Sequence, residues 1–178
     1  MRIAQVAPLA EDVPPSRYGG TERVIAALCD ALVAGGHDVT LFATATSQTR
    51  ARLAPAAPNA LRKRMTGVEL TELGPHLHLR MMADVYRRAD EFDVIHSHTD
   101  LMTLPFVETV STPTVMTMHG RLDTAAMRSV LPLYRDAALV SISDHQRRAV
   151  EDLPLHWLAT VPNGLDLARY HRQPRGDG

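Results

Sequence analysis

The fold is decided by the stretch Tyr18-Gly19-Gly20-Thr21-Glu22, which lies between a short apolar run, Ile3–Ala7, and an apolar series at helical spacing, Val24–Leu28. Two adjacent glycines between a strand and a helix allow backbone conformations that a Cβ would forbid, and they let a ligand approach the main chain. The free N–H groups and positive dipole end of the helix would face the same point, which is a common anion site. A plain strand-to-helix turn explains the glycine pair equally well.

The composition is that of one globular domain. The 178 residues include 19 Lys and Arg against 20 Asp and Glu, a balance that gives no basic field for nucleic acid. The one cysteine, Cys29, falls in the helical pattern and is expected to be a core residue in a reducing compartment. Without a secretory signal or a stretch of roughly 20 apolar residues, the sequence predicts a cytoplasmic protein with no transmembrane segment and no nucleic-acid partner.

Strand and helix patterns alternate along the chain. Arg2–Ala7, the glycine turn with its helix, and Asp38–Ala43 predict one right-handed βαβ unit. A helix over about 75–91 follows, on which Arg80 and Asp84 are expected to pair at i,i+4. The remaining patterns are strand 93–96, helix 101–110, strand 113–118, helix 125–134, strand 138–142, helix 143–152 and strand 158–161. With a short edge strand near 53–57, this alternation predicts an α/β fold: a doubly wound parallel sheet of about six to seven strands, with helices on both faces.

Polar residues collect where the predicted strands end. Ligands of a doubly wound sheet bind beyond the carboxyl ends of its strands, so His98, His119-Gly120 and Ser143 are candidates. A histidine followed by glycine can present a neutral donor and acceptor to a substrate hydroxyl. The alternative is that His119 has no ligand role and simply forms a hydrogen bond with a neighbouring loop. Ser143 also begins an S-x-x-Q capping box with Gln146.

A metal site is the alternative interpretation of the histidines. His96 and His98 lie two apart on a strand, so both could face one side and bind a metal together with His119. Nothing else in the sequence has metal-ligand spacing, and no nucleophile triad or acid–base carboxylate pair is visible. His76 and His78, on the helix over 75–91, are expected to be surface or packing residues.

Six short motifs follow one another along the chain: Arg2–Pro8, Tyr18–Val24, Gly36–Phe42, Asp93–His98, Met118–Gly120 and Val161–Asp166. In this order they resemble the amino-terminal domain of family 4 glycosyltransferases, which are retaining enzymes of the two-domain GT-B architecture. The resemblance covers residues 1 to about 170 and implies a Rossmann-like fold.

This resemblance implies a division of labour. Residues 1–163 would form the acceptor-binding domain, and residues 164–178 would form the crossing to a carboxyl-terminal, donor-binding domain that the chain lacks. His119 would contact the transferred sugar and stabilise the charge that develops as the glycosidic bond breaks. The expected substrate- and donor-binding residues are Gly19, Gly20, Thr21, His98, Gly120, Ser143 and Asn163. A nucleotide-sugar would be the co-substrate, and neither a metal nor another cofactor is expected.

The resemblance also implies that the chain is a truncated enzyme. The family's phosphate-clamping Arg and Lys and its paired glutamates belong to the carboxyl-terminal domain, so the isolated chain is expected to transfer sugar poorly. Two alternatives stay open at this point. One is a stand-alone binding or assembly module without catalysis, and the other is a metal-dependent hydrolase that uses His96, His98 and His119.

Overall fold

Seven parallel strands form one sheet in the computed structural model of the protein, which describes residues 1–164. The strands are β1 (Arg2–Val6), β2 (Asp38–Thr44), β3 (Arg52–Ala57), β4 (Val94–Ser97), β5 (Thr114–Met118), β6 (Ala138–Ser141) and β7 (Trp157–Thr160). They lie in the order β3-β2-β1-β4-β5-β6-β7, so the strand order reverses between β1 and β4. This arrangement confirms the predicted Rossmann-like α/β sheet.

Helices cover both faces of the sheet. They are α1 (Gly20–Ala34), α2 (Leu61–Arg64), α3 (Gly67–Arg87), α4 (Ala125–Val130) and α5 (Asp144–Arg148). Successive residues of a strand point to opposite faces, so Val6 packs in the cluster under α3, whereas Ala7 packs in the cluster under α1. Cys29 is fully buried in the α1 cluster, which confirms its predicted core position. Among the helices of residues 1–164, none is long and apolar enough to cross a membrane.

The predicted helix over 101–110 is wrong. The structure has two short 3₁₀ turns there, Asp100–Met102 and Leu104–Phe106. Asp100, the residue just before this stretch, adopts a left-handed backbone conformation with φ 45°. The Thr103 hydroxyl lies 2.5 Å from the Ser97 hydroxyl, so a polar contact back to β4 replaces helical packing.

Two details of the α3 prediction are also wrong. The helix begins at Gly67 rather than near residue 75, and Pro75 lies inside it. Leu70 packs against the core cluster and extends the apolar face of the helix towards its amino terminus. The stabilisation from this packing outweighs the loss of the one backbone hydrogen bond that Pro75 cannot donate. Asp84 pairs with Arg87 at 2.7 Å and not with Arg80, because an acid placed before a base is the favourable order on a helix.

The loop over 7–19 carries the chain from β1 to the glycine turn, and buried polar contacts hold it. The Leu9 N–H donates to Nε2 of His78 at 2.9 Å, which leaves Nδ1 of His78 to donate to the Gly74 carbonyl. The Val13 N–H donates to the Ser47 hydroxyl at 2.9 Å. His78 is therefore a packing residue, as predicted, and the loop is fixed at both its start and its middle.

Asp12 is the charged centre of this loop. Its carboxylate accepts hydrogen bonds from Thr44 and Thr46 and from Nζ of Lys63, each at 2.6 Å. Burial acts to raise the pKa of Asp12, but these three hydrogen bonds outweigh it and lower the pKa to about 2. The folded protein therefore favours the ionised carboxylate.

We expect Asp12→Asn to lower the free energy of unfolding at neutral pH by about 1–3 kcal/mol, since hydrogen bonds to a charged group are lost. The folded pKa of about 2 lies below the ordinary 3.8, so this stabilisation is complete above pH 3.8 and is lost as the pH falls towards 2. Urea unfolding across this range measures it. Asp38→Asn, which removes an exposed ion pair with Arg52, is the control and should cost under about 1 kcal/mol. The difference in the free energy of unfolding between wild type and Asp12→Asn should shrink as the pH falls. A constant difference would contradict the lowered pKa of Asp12.

Candidate active site

Three histidines meet at the carboxyl edge of the sheet. His96 lies on β4, His98 follows that strand, and His119 follows β5. The ring centroids of His96 and His98 are 4.3 Å apart, and those of His98 and His119 are 5.2 Å apart. The sequence-based expectation that these side chains share one edge is therefore confirmed.

A chain of hydrogen bonds joins the histidines to β1. Nδ1 of His98 lies 2.9 Å from Nε2 of His119, and Nε2 of His98 lies 2.9 Å from Oε1 of Gln5. Nε2 of the same Gln5 amide lies 3.2 Å from Nδ1 of His96. Nε2 of His96 in turn lies 2.8 Å from the Thr117 hydroxyl. Every contact of this chain suits a neutral imidazole, which has one donor and one acceptor nitrogen.

Burial keeps these rings uncharged. It lowers the pKa of His119 to about 4, and burial with the nearby His119 lowers the pKa of His96 to about 4. The pKa of His98, which is completely enclosed, falls well below its ordinary value for the same reason. Three adjacent histidines therefore carry no charge at neutral pH.

Asp100 is a site residue that the sequence interpretation did not select. Its Oδ1 accepts from the His119 N–H at 3.4 Å, and burial raises the pKa of its carboxyl to about 6. A Cβ added at Gly120 would lie 3.2 Å from Oδ2 of Asp100, so the glycine allows this approach. Asp100 comes three residues after the end of β4, in the connection at the same sheet edge, and that position could have indicated it.

The capping box of α5 also holds the His119 turn. The Ser143 hydroxyl accepts from the Gln146 N–H at 3.1 Å, so the predicted helix start is confirmed. The Gln146 side chain then donates to the carbonyl oxygens of Met118 and Gly120, at 2.9 and 2.7 Å. Because these two carbonyls flank His119, Gln146 fixes the backbone that presents the ring.

The glycine turn begins α1 as predicted. Gly19 has φ 151°, and a Cβ there would lie 2.7 Å from the Pro15 ring and 2.9 Å from Oε2 of Glu22. Gly20, the first residue of α1, is exposed and has open space where its Cβ would lie. No side chain caps the helix, so N–H groups of its first turn face outwards, with Thr21 at the second position. Burial raises the pKa of Glu22, which lies in the same turn.

A cavity of about 520 Å³ connects α1 with the histidines. Its lining includes Val24 and Leu28 of α1, His96 and His98 of the histidine cluster, and Asn163 near the end of the described chain. The lining is mainly apolar. Two of the predicted site residues, His98 and Asn163, line this cavity. His119 is joined to His98 by a hydrogen bond but is not part of the lining. The other predicted site residues also lie outside the lining; they are Gly19, Gly20, Thr21, Gly120 and Ser143. The predicted crossing beyond Gly164 lies outside the described residues.

The histidine geometry bears on the metal alternative. Within residues 1–164, no group of three or more His, Cys, Asp or Glu side chains has the geometry to hold a metal ion. Nδ1 of His98 and Nε2 of His119 are hydrogen-bonded to each other. Both nitrogens would have to give up this hydrogen bond before either could coordinate a metal.

The fold is that of the amino-terminal domain of GT-B glycosyltransferases. AviGT4, a glycosyltransferase involved in avilamycin A biosynthesis, is 24% identical with a TM-score of 0.57, over 95% of this chain and 44% of that one. Sucrose-phosphate synthase from Thermosynechococcus elongatus is 15% identical with a TM-score of 0.67, over 94% and 49%. MurG from Acinetobacter baumannii is 12% identical with a TM-score of 0.51, over 97% and 50%. These likenesses establish the fold, and the chain spans about half the length of each structure.

The sequence itself gives the family. Residues 18–169 match the model of Glycosyltransferase Family 4, and the chain belongs to that family. None of the curated proteins shows significant sequence similarity to it. The matched range begins at the glycine turn and includes the three histidines, so the family assignment and the site geometry concern the same part of the chain.

We expect the two glycines to respond differently to alanine. Gly19→Ala should lower the free energy of unfolding by about 1–3 kcal/mol, because its backbone is strained for any other residue and the Pro15 ring cannot move aside. Gly20→Ala should leave stability unchanged or raise it by up to about 1 kcal/mol, since alanine favours the helix. Urea unfolding of both variants measures the difference, and equal losses would contradict the geometry of the turn.

We also expect the protein to lose stability in mild acid. Unfolded histidines take up protons near pH 6.5, whereas His96 and His119 in the folded protein do so only near pH 4. The free energy of unfolding should therefore fall between these values, by up to about 1.4 kcal/mol per pH unit for each histidine. Denaturant unfolding at several pH values measures the slope. His119→Gln should reduce the slope and His76→Gln, at an exposed position, should not; equal slopes for both would refute the assignment.

Proposed function

We propose that the chain is the acceptor-side, amino-terminal domain of a retaining glycosyltransferase that transfers a sugar from a nucleotide-sugar to an acceptor hydroxyl. The match of residues 18–169 to Glycosyltransferase Family 4 carries the proposal. The nucleotide-sugar is a co-substrate, and no metal or other cofactor takes part in the proposed reaction. The expected cytoplasmic location stays a prediction.

The charge of the site supports a role for His119 beside the transferred sugar. Positive charge develops on the sugar ring as a glycosidic bond breaks, so a protonated imidazole there would oppose the reaction. Burial keeps His119 neutral. Asp100, whose pKa of about 6 leaves it ionised at neutral pH, adds negative charge next to the His119 backbone. Together these residues form an environment that tolerates a cationic transition state.

The proposed donor contacts come from the glycine turn at the start of α1. Gly19, Gly20 and Thr21 would approach the donor diphosphate and sugar through the first turn of α1, where free N–H groups stabilise anions. His98, Gly120 and Ser143 would support the contact that His119 makes, and Asn163 would lie at the crossing to a second domain. That second domain would hold most of the nucleotide. Since the chain spans about half of the similar structures, we expect it to bind a nucleotide-sugar weakly and to transfer sugar poorly when alone.

His119→Ala tests this function. The assay uses the full-length protein that contains this chain. In it, we expect His119→Ala to lose about 2–4 kcal/mol of transition-state stabilisation. Transfer from a panel of nucleotide-sugars measures it, with calorimetry on the 178-residue chain as the companion measurement of binding. His76→Ala, at an exposed position on α3, should keep full activity.

Three results would count against the proposal. Undiminished turnover in His119→Ala would remove that residue from the mechanism. Tight binding of a nucleotide-sugar to the chain alone would show that donor binding does not need a second domain. Absence of transfer with every donor in the full-length protein would favour the binding-module alternative.

A further inference from the structure

The Gln5 side chain makes hydrogen-bond contacts with both His96 and His98, and through them it joins two branches of the histidine cluster: His98 with His119, and His96 with Thr117. It lies in β1 opposite His96 of β4 in the parallel pairing, and it has no exposed surface. Its carbonyl oxygen faces His98 and its amide nitrogen faces His96. A side-chain amide is unusual among buried groups because one end only accepts hydrogen bonds and the other only donates them.

The carbonyl end of Gln5 sets the first branch. Since Oε1 can only accept, Nε2 of His98 must carry the hydrogen of that contact. A neutral imidazole has one N–H, so Nδ1 of His98 is an acceptor, and Nε2 of His119 must donate to it. Nδ1 of His119 is then left without a hydrogen. It has no hydrogen-bond partner within residues 1–164. Since every buried side-chain nitrogen and oxygen atom of these residues has a partner, Nδ1 of His119 is not buried and is open to solvent or a ligand.

The amide-nitrogen end sets the second branch in the same way. Nε2 of Gln5 can only donate, so Nδ1 of His96 accepts and Nε2 of His96 donates to the Thr117 hydroxyl. The hydrogen positions of Gln5, His96, His98 and His119 are thus coupled. Turning the Gln5 amide over would reverse the donor in every contact of both branches at once, so His119 cannot change its tautomer independently while the chain of bonds is intact.

We propose that Gln5 is a positioning residue, whose buried amide fixes the tautomer of His119 through His98. Nε2 of His119 carries the hydrogen, and Nδ1 is kept as an acceptor for a hydroxyl group of the ligand. This inference deepens the proposed function and rests on it for the identity of that ligand, the transferred sugar. A ligand that offers only an acceptor at this position would be disfavoured, because no hydrogen is available on Nδ1 to bind it.

The histidine tautomers can be measured without any substrate. In the 178-residue chain with ¹⁵N-labelled histidine, the protonated and unprotonated ring nitrogens resonate at well-separated positions. We expect His96, His98 and His119 each to show a single neutral form with hydrogen on Nε2. Hydrogen on Nδ1 of His119, or averaged resonances from two tautomers, would overturn the proposal. This measurement needs no variant, so it stands even if a substitution prevents folding.

Two substitutions at Gln5 separate positioning from packing. Gln5→Met fills a similar volume without hydrogen bonds, and we expect the single resonances of His98 and His119 to be replaced by averaged ones. Gln5→Glu offers two acceptors, so His98 and His119 should keep the wild-type pattern while Nδ1 of His96 gains a hydrogen. An unchanged His119 spectrum in Gln5→Met, or a changed one in Gln5→Glu, would refute the role of Gln5.

Thr117→Val is the matched control, because it removes the contact at the far end of the His96 branch. His119 should keep its wild-type resonances in this variant, and their loss would show that any disturbance of the cluster has the same effect. In the transfer assay, Gln5→Met should have a lower turnover than wild type, whereas Gln5→Glu should retain most of the wild-type turnover. If the spectra agree with these expectations but the assay shows no such difference in turnover, the proposed function is contradicted. The tautomer of His119 is decided by the spectra independently of the assay.

Discussion

The parallel pairing of β1 with β4 is the contact on which the site depends. It brings Gln5 opposite His96, although the two residues are 91 positions apart in the chain. The same pairing continues where the His98 N–H donates to the Val6 carbonyl at 3.0 Å. Strand order reverses at this pair, and the loops after β1 and β4 therefore separate to leave room for a ligand. The cavity begins beside this pair, at His96 and His98, and extends along α1 and over β5 and β6.

The chemistry of the edge is controlled by burial rather than by charge. Three neutral histidines and one carboxyl with a raised pKa occupy a region where exposed side chains would be ionised to a greater extent. Two side-chain amides hold this group: Gln5 accepts a hydrogen bond from His98, and Gln146 donates to the backbone carbonyl of Gly120 beside His119. Amides suit the task because they give both a donor and an acceptor without adding charge. The carboxyl edge of the sheet thus presents three neutral imidazoles beside the Asp100 carboxyl, in a largely prearranged network of hydrogen bonds.

Much of the fold was predictable, and the errors have identifiable causes. The βαβ start, the glycine turn and the strand positions depend on local periodicity, which a sequence displays directly. The helix expected over 101–110 failed because the Thr103 hydroxyl bonds back to Ser97, a contact that an apolar pattern does not reveal. Asp100 was missed because its role depends on the backbone of His119 in the neighbouring strand connection.

The sequence by itself determined the α/β class, the glycine turn before α1, and the set of histidines at the strand ends, since these follow from alternation and from the shared edge of parallel strands. Only the tertiary structure decided which histidine bonds to which, that burial keeps all three neutral, and that Gln5 links them. The physical reason is the range of each effect. Periodicity is a property of neighbouring residues, whereas hydrogen-bond partners and desolvation depend on groups brought together from distant parts of the chain.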